Sequence, residues 1–307
     1  MNWILSIFFN IDHTYIAVVE PTPTGLCLQY IDSTEHPVNL EAMNENGSEK
    51  ASFELKSIIA QFEGKIKKIK ITFPAENVIV TQFPAKPDIS NQELKRIVSF
   101  EIRNSYPHFN YEDFSPILVP FGGTKQALTM MATIIFKKDV EICTEMTKSL
   151  GLPISSVDMS QMNAHNACIY NYPEFSDKNI ALFGIQSQFA DISLMENRKP
   201  VFYNLASVGD INNIGKLVED ELKKILKNNK KIDMAFFFGA VMTKEMFTTV
   251  WESAMVLGID ARRLNAFRMV KTNLGQREKD YCSRVSHILP PCIGACIEPY
   301  HKKIDIY

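Results

Sequence analysis

At 307 residues the chain is long enough for about two domains. Hydrophobic residues make up 46% and charged residues 22%, an ordinary globular balance that excludes a disordered or fibrous chain. A formal charge of −2 supplies no global field toward nucleic acid or anionic lipid, so nucleic acid is not expected as a partner.

Of the six cysteines only Cys292 and Cys296 lie close together, inside the apolar run PPCIGACI. A zinc knuckle needs a second such pair or a histidine couple, and only His287 and His301 flank this one. Buried free thiols, a reducing compartment and no metal site are expected. The amino terminus, MNWILSIFFNIDHTYIAVVE, is apolar but lacks the basic start and the cleavage site of a secretory signal. Polar Asn10 and Asp12 interrupt it after about seven apolar residues, against the roughly 20 a spanning helix needs. A soluble, cytoplasmic protein without direct membrane insertion is expected.

In chain order, residues 3–9, Tyr15–Glu20 and Leu26–Ile31 read as three strands of a meander, turning at Asn10–Thr14 and at the PTPTG of 21–25. A helix follows at about 50–62. Strands Lys68–Phe73 and Asn77–Phe83 flank Pro74-Ala75-Glu76, and Ser90 with Glu93 predicts a capping box opening a helix through Asn104. Strands Phe114–Phe121 and Ala127–Phe136, a helix over Lys138–Leu150 and a strand over Ile154–Met159 complete a small α+β unit. Gly122-Gly123-Thr124-Lys125 joins two strands rather than opening a helix, so it is not read as a phosphate-binding P-loop.

Residues 160–171 read as a helix and Tyr172–Asp177 as a linker. A second meander then begins: Asn179–Ile185, Ala190–Met195 and Pro200–Leu205, turning at Gln186–Phe189 and Glu196–Lys199. A helix over Ile214–Lys227 ends in basic residues, read as a solvated face where the helix dipole favours cations. Asp233–Phe238 is a buried strand, Gly239-Ala240 turns it into a helix reaching about Leu257, residues 271–284 look irregular, and Val285–Ile297 reads as a closing helix. Two meanders, the first lobe carrying an insertion, make a two-lobed α/β plan.

In such a plan the turn opening each lobe would grip phosphates, which requires Gly and Ser/Thr for close backbone approach and an Asp to hold Mg²⁺. Several strings in order resemble the type IV pilus assembly protein PilM family, relatives of FtsA and GspL in the actin-like ATPase superfamily. They are IDHTYIAVVE at 11–20, ITFPAENVIVTQFP at 71–84, ISNQELKRIVSFEIRNSYP at 89–107, SLGLPISSVDMSQMNAHNA at 149–167 and Asn265-Ala266-Phe267-Arg268. Together they span nearly the whole chain. The resemblance implies a two-lobed actin-like (ribonuclease H-like) ATPase fold with an inserted α+β subdomain. The first lobe would cover 1–74, completed by 160–177 and 285–307. The insertion would cover 75–159 and the second lobe 178–284.

Departures from the family pattern fall on the nucleotide turns. Aligned through Val18-Val19-Glu20, Asn10 takes the family's Asp, Asp12 its Gly, His13 and Thr14 its Ser positions, and Ala17 its Lys. A carboxylate at 12 would repel phosphate. Aligned through Pro200, Gly184 takes the Asp of the second turn and Gln186 its Gly, with Ser187 following, while Phe189, Ala190 and Asp191 take its small or hydroxyl residues. The Gly-Gly of the third turn becomes Gly239-Ala240-Val241. These vestigial positions predict no catalytic residue, no metal and no required cofactor.

The resemblance implies a cytoplasmic scaffold, held at the inner membrane through partners, in a type IV pilus-like or type II secretion-like assembly. It would bind the N-terminal tail of a single-span PilN-like protein, and other platform proteins, through a groove lined by the 71–84 strands and the 90–104 helix. The alternative is an active ATPase or sugar-kinase-like phosphotransferase that binds Mg-ATP through unusual loops.

Overall fold

A computed structural model describes residues 2–10, 13–34, 45–62, 64–86, 88–108, 110–123, 128–148, 150–228, 231–299 and 304–305. Asp12 and residues 124–127 lie outside them. The chain divides into two compact units: Met1–Pro21, Tyr30–Met159 and His301–Tyr307 form the first, Thr22–Gln29 and Ser160–Tyr300 the second.

The first unit opens with β1 (Trp3–Phe9) and β2 (Thr14–Thr22), and β3 (Gly25–Ser33) is divided between the units. Helix α1 (Glu45–Ala60) leads to β4 (Ile66–Phe73), which pairs parallel with β1 while β2 pairs antiparallel on its other side. Next come β5 (Val78–Ala85), α2 (Asn91–Ser105), β6 (Phe114–Gly123), β7 (Leu128–Phe136), α3 (Lys137–Lys148) and β8 (Ile154–Met159). Strand β8 returns to the first sheet, parallel to β4, giving the order β3-β2-β1-β4-β8. Strands β5, β6 and β7 form a separate antiparallel sheet, edged by β5 on one side and on the other by the short β15 (Ile304–Asp305), which pairs with β6. The expected capping box is present: Glu93 N–H donates to Ser90 Oγ at 3.2 Å and Ser90 N–H to Glu93 Oε2 at 3.2 Å. Leu94, Val98 and Ile102 are spaced four apart, so one stripe of α2 faces Phe83, Phe114, Leu118 and Met130 in the core of this sheet.

The second unit repeats the plan. Helix α4 (Ser160–Asn171) precedes β9 (Ile180–Ile185), β10 (Phe189–Glu196) and β11 (Lys199–Ser207), an antiparallel meander. Asn197 and Arg198 both have positive φ, 50° and 65°, the backbone that a tight hairpin with right-twisted strands demands. Helix α5 (Ile214–Lys227) leads to β12 (Met234–Phe238), parallel to β9, then α6 (Lys244–Val256) and β13 (Asp260–Arg263). The order β11-β10-β9-β12-β13 matches β3-β2-β1-β4-β8 strand for strand. The meanders seen in the sequence are thus two copies of one topology.

The last part of the second unit differs from the sequence reading. Residues 271–284, read as irregular, hold β14 (Lys271–Thr272), parallel to β3, and α7 (Gln276–Val285). The closing helix read over 285–297 is only the short α8 (Pro290–Gly294). Cys282 is the single buried residue of α7, so no apolar stripe marked it. Helix α4 also groups with the second unit, although the sequence reading gives 160–177 to the first lobe. It packs on α8, where a Cβ on Gly294 would stand 1.8 Å from Asn163 O, and its polar side chains bond into β9 and β10.

Candidate functional site

The first turn belongs to the first unit and is closed by its own hydrogen bonds. Asn10 N–H donates to His13 O at 3.1 Å, and both Asn10 and Thr14 are buried. Thr34 clasps the far side: its N–H donates to Thr14 O at 2.9 Å, and its Oγ1 accepts from Thr14 N–H at 3.2 Å. His13 Nδ1 lies 3.2 Å from Thr34 O and its ring meets Tyr15 edge-on. Ala17 is fully buried opposite Ser6 in the β1–β2 ladder, so the position where the family carries a lysine is core.

The second and third turns are brought together in the second unit. Gly184 lies on β9 between Asp191 of β10 and Phe238 of β12. A Cβ there would stand 2.5 Å from Phe238 Cζ and 3.0 Å from two further ring carbons. The ring occupies the space an acidic side chain at 184 would need. Gln186 N–H donates to Phe189 O at 2.8 Å, closing a turn that leaves Ser187 exposed. Gly239 survives for a packing reason. Its φ is +123°, and a Cβ would stand 2.0 Å from Ile185 O, so only glycine lets the third turn close onto β9. Its N–H donates to His287 O at 2.8 Å, and after half-buried Ala240 the Thr243 hydroxyl caps α6 by accepting from Met246 N–H at 3.2 Å.

Two polar arrangements here had no signal in the sequence. Asp191, the carboxylate opposite Gly184, is buried and accepts from Tyr203 Oη at 2.6 Å and Ser160 Oγ at 3.3 Å. Beside it Gln161 Nε2 donates to Leu182 O at 2.9 Å and Ser193 Oγ at 2.7 Å, and His165 Nε2 lies 2.6 Å from Ser193 Oγ. Near the third turn, Arg263 Nη2 donates to His287 Nδ1 at 2.7 Å. Burial first, and the guanidinium charge second, push the His287 pKa down to about 4, so the ring is a neutral acceptor. Among the described residues no group of three or more His, Cys, Asp or Glu side chains is arranged to hold a metal. All six cysteines are buried and unpaired as disulfides.

A groove of about 420 Å³ lies within the first unit, away from these turns. Its sides are Ile154, Ser155, Ser156 and Val157 of β8, residues 115–117 of β6, Ile135 of β7, and Val140 and Thr144 of α3. Strand β8 ends its sheet, so the groove runs beside a strand edge. No charged side chain lines it, and no lining residue comes from 71–84 or 90–104, where the sequence reading places a groove.

No family model matches the sequence, and no curated protein matches it. Solved structures do. A chain of a PilM-PilN type IV pilus biogenesis complex superposes with a TM-score of 0.77 at 12% identity, covering 95% of this chain and 97% of that one. A Bacteroides thetaiotaomicron protein with an actin-like ATPase fold and unknown function gives 0.56 at 10% identity, over 97% and 96% of the chains. Among the described residues no helix is long and apolar enough to cross a membrane. The chain therefore has the two-lobed actin-like ATPase fold with an inserted α+β subdomain, and its backbone resembles the PilM–PilN complex chain over nearly its whole length.

Proposed function

We propose that the protein is a scaffold of a type IV pilus-like or type II secretion-like inner-membrane assembly, binding an extended N-terminal segment of a single-span PilN-like partner in the groove beside β8. The observation that carries this reading is the groove: an uncharged channel flanked by a strand edge, inside a fold that resembles a chain of a PilM-PilN type IV pilus biogenesis complex. An extended segment there adds backbone hydrogen bonds along β8 and sets alternate side chains against Ile135, Val140 and Ile154. The protein stays in the cytoplasm and meets the membrane through that partner. The nucleotide turns support a role without ATP hydrolysis: Phe238 fills the space beside Gly184, and Thr34 closes the first turn.

The test uses the purified full chain and synthetic peptides from the cytoplasmic tails of single-span proteins encoded beside it. Saturable binding by one peptide, abolished by Ser156→Trp in the groove, is the expected outcome. Failure of all such peptides removes the basis for the groove. In parallel, Mg-ATP is titrated by thermal shift: a ligand at 100 times its Kd adds about 2.7 kcal/mol to stability. A saturable micromolar shift would establish the active-ATPase alternative.

A further inference from the structure

We propose that the open edge of β11 is a self-association surface, filled by the β11 strand of a second copy of this chain in a two-fold antiparallel pairing. The two ends of the second unit's sheet are built differently. At one end β13 is short and charged, Asp-Ala-Arg-Arg, with Arg262 paired to Asp260 at 3.0 Å; such strands discourage edge pairing. At the other end β11 is nine residues long, and residues 200–207 (PVFYNLAS) carry no charge. Val208 N–H donates to Gln188 O at 2.7 Å, and Ser207 stands opposite Phe189. In an antiparallel ladder hydrogen-bonding residues alternate, so 208, 206 and 204 turn their backbone groups toward β10, while Leu205 and Ser207 turn theirs away from the sheet. Leu205 is also one of the large apolar side chains left exposed, at 38%.

The space beside this edge is a groove of about 740 Å³, floored by residues 204–210 and walled by α5. Asn204 Nδ2 donates to Glu221 Oε2 at 2.9 Å, which ties the strand to the helix at that level. Glu221 also pairs with Lys224. Lys216 and Asp220, one turn apart on the groove wall, make no direct ion pair among the described residues, although Asp220 interacts at longer range with Lys223 of its own helix. With Glu221 and Lys224 already paired, the Lys216 and Asp220 of this wall are complementary to those of a reversed copy. A two-fold axis through Leu205 covers Leu205 with its own counterpart. It also runs the two α5 helices antiparallel, so that Lys216 of one copy faces Asp220 of the other, twice.

Sedimentation velocity on the full chain tests this. A concentration-dependent dimer is expected, made monomeric by Leu205→Pro, which removes an outward N–H on an edge strand and leaves the fold intact. Lys216→Asp alone turns both ion pairs repulsive and weakens the dimer about tenfold. Adding Asp220→Lys in the same chain restores it. A monomer at every concentration up to the solubility limit overturns the proposal, including the case in which the edge instead captures a strand from another protein. So does a dimer indifferent to Leu205→Pro, or a charge reversal that the second reversal does not rescue.

Discussion

Gly184 carries a sharp prediction because the general rule and this structure give opposite signs. Glycine inside a strand costs about 0.5–1 kcal/mol relative to alanine, so Gly184→Ala would ordinarily stabilise β9. Here the new Cβ meets Phe238 Cζ at 2.5 Å, where ordinary contacts begin near 3.4 Å, so a fully buried ring must retreat by about 1 Å. Gly184 has no positive φ, so the cost is steric alone. Overpacking of this kind costs about 1–3 kcal/mol, which outweighs or at least cancels the gain and leaves a net loss of about 0–2.5 kcal/mol. The assay is urea unfolding in a Trp3→Phe background. Of the two tryptophans this leaves Trp251, on α6, to report on the second unit. Phe238→Leu removes the colliding atom, so in that background Gly184→Ala becomes neutral or stabilising, a coupling that a double-mutant cycle measures. If Gly184→Ala stabilises the unaltered protein, the ring does not block the position. An acidic side chain at 184 would then also fit beside the ring.

Gly239→Ala combines a φ of +123° with a Cβ 2.0 Å from Ile185 O, and a loss of at least about 3 kcal/mol is expected in the same assay. Tyr203→Phe removes the 2.6 Å hydrogen bond to the Asp191 carboxylate, for a loss of about 1.5–3 kcal/mol that Tyr203→Leu does not make smaller. His287 gives a pH signature. Its folded pKa, about 4, lies below the 6.5 of the unfolded chain, so the unfolded state binds the extra proton. Stability is therefore fully present above pH 6.5 and falls as pH drops toward 4, with a slope approaching one proton. In His287→Gln, urea midpoints measured between pH 4 and 6.5 lose that slope, and an unchanged slope would assign it to other groups.

What the sequence made legible is what short-range pattern encodes. The runs 3–9 and 180–185 are continuous, β-branched and aromatic, and both proved to be central, buried strands. The Ser90–Glu93 box is a local reciprocal bond, and it opens α2 where expected. Helix α7 escaped because one buried cysteine makes no periodicity. The sequence marks α4 as a helix but carries no sign of its partners. Gln161, Asn163 and His165 are polar residues in a buried helix, and their place is set by carbonyls and hydroxyls far along the chain.

The candidate site divides the same way. From sequence alone came the two-lobed plan, its repeated meander, and the departures from the PilM family's phosphate-gripping pattern at Asp12, Ala17, Gly184, Gln186 and Ala240. Only the tertiary structure shows what occupies the space at these turns. Phe238 reaches Gly184 from a strand more than fifty residues away, Thr34 clasps the first turn, and Gly239 is retained because Ile185 O leaves no room for a Cβ. Residue identity shows which chemistry a turn lacks. What fills its space depends on contacts between chain segments remote in sequence, which no local pattern carries.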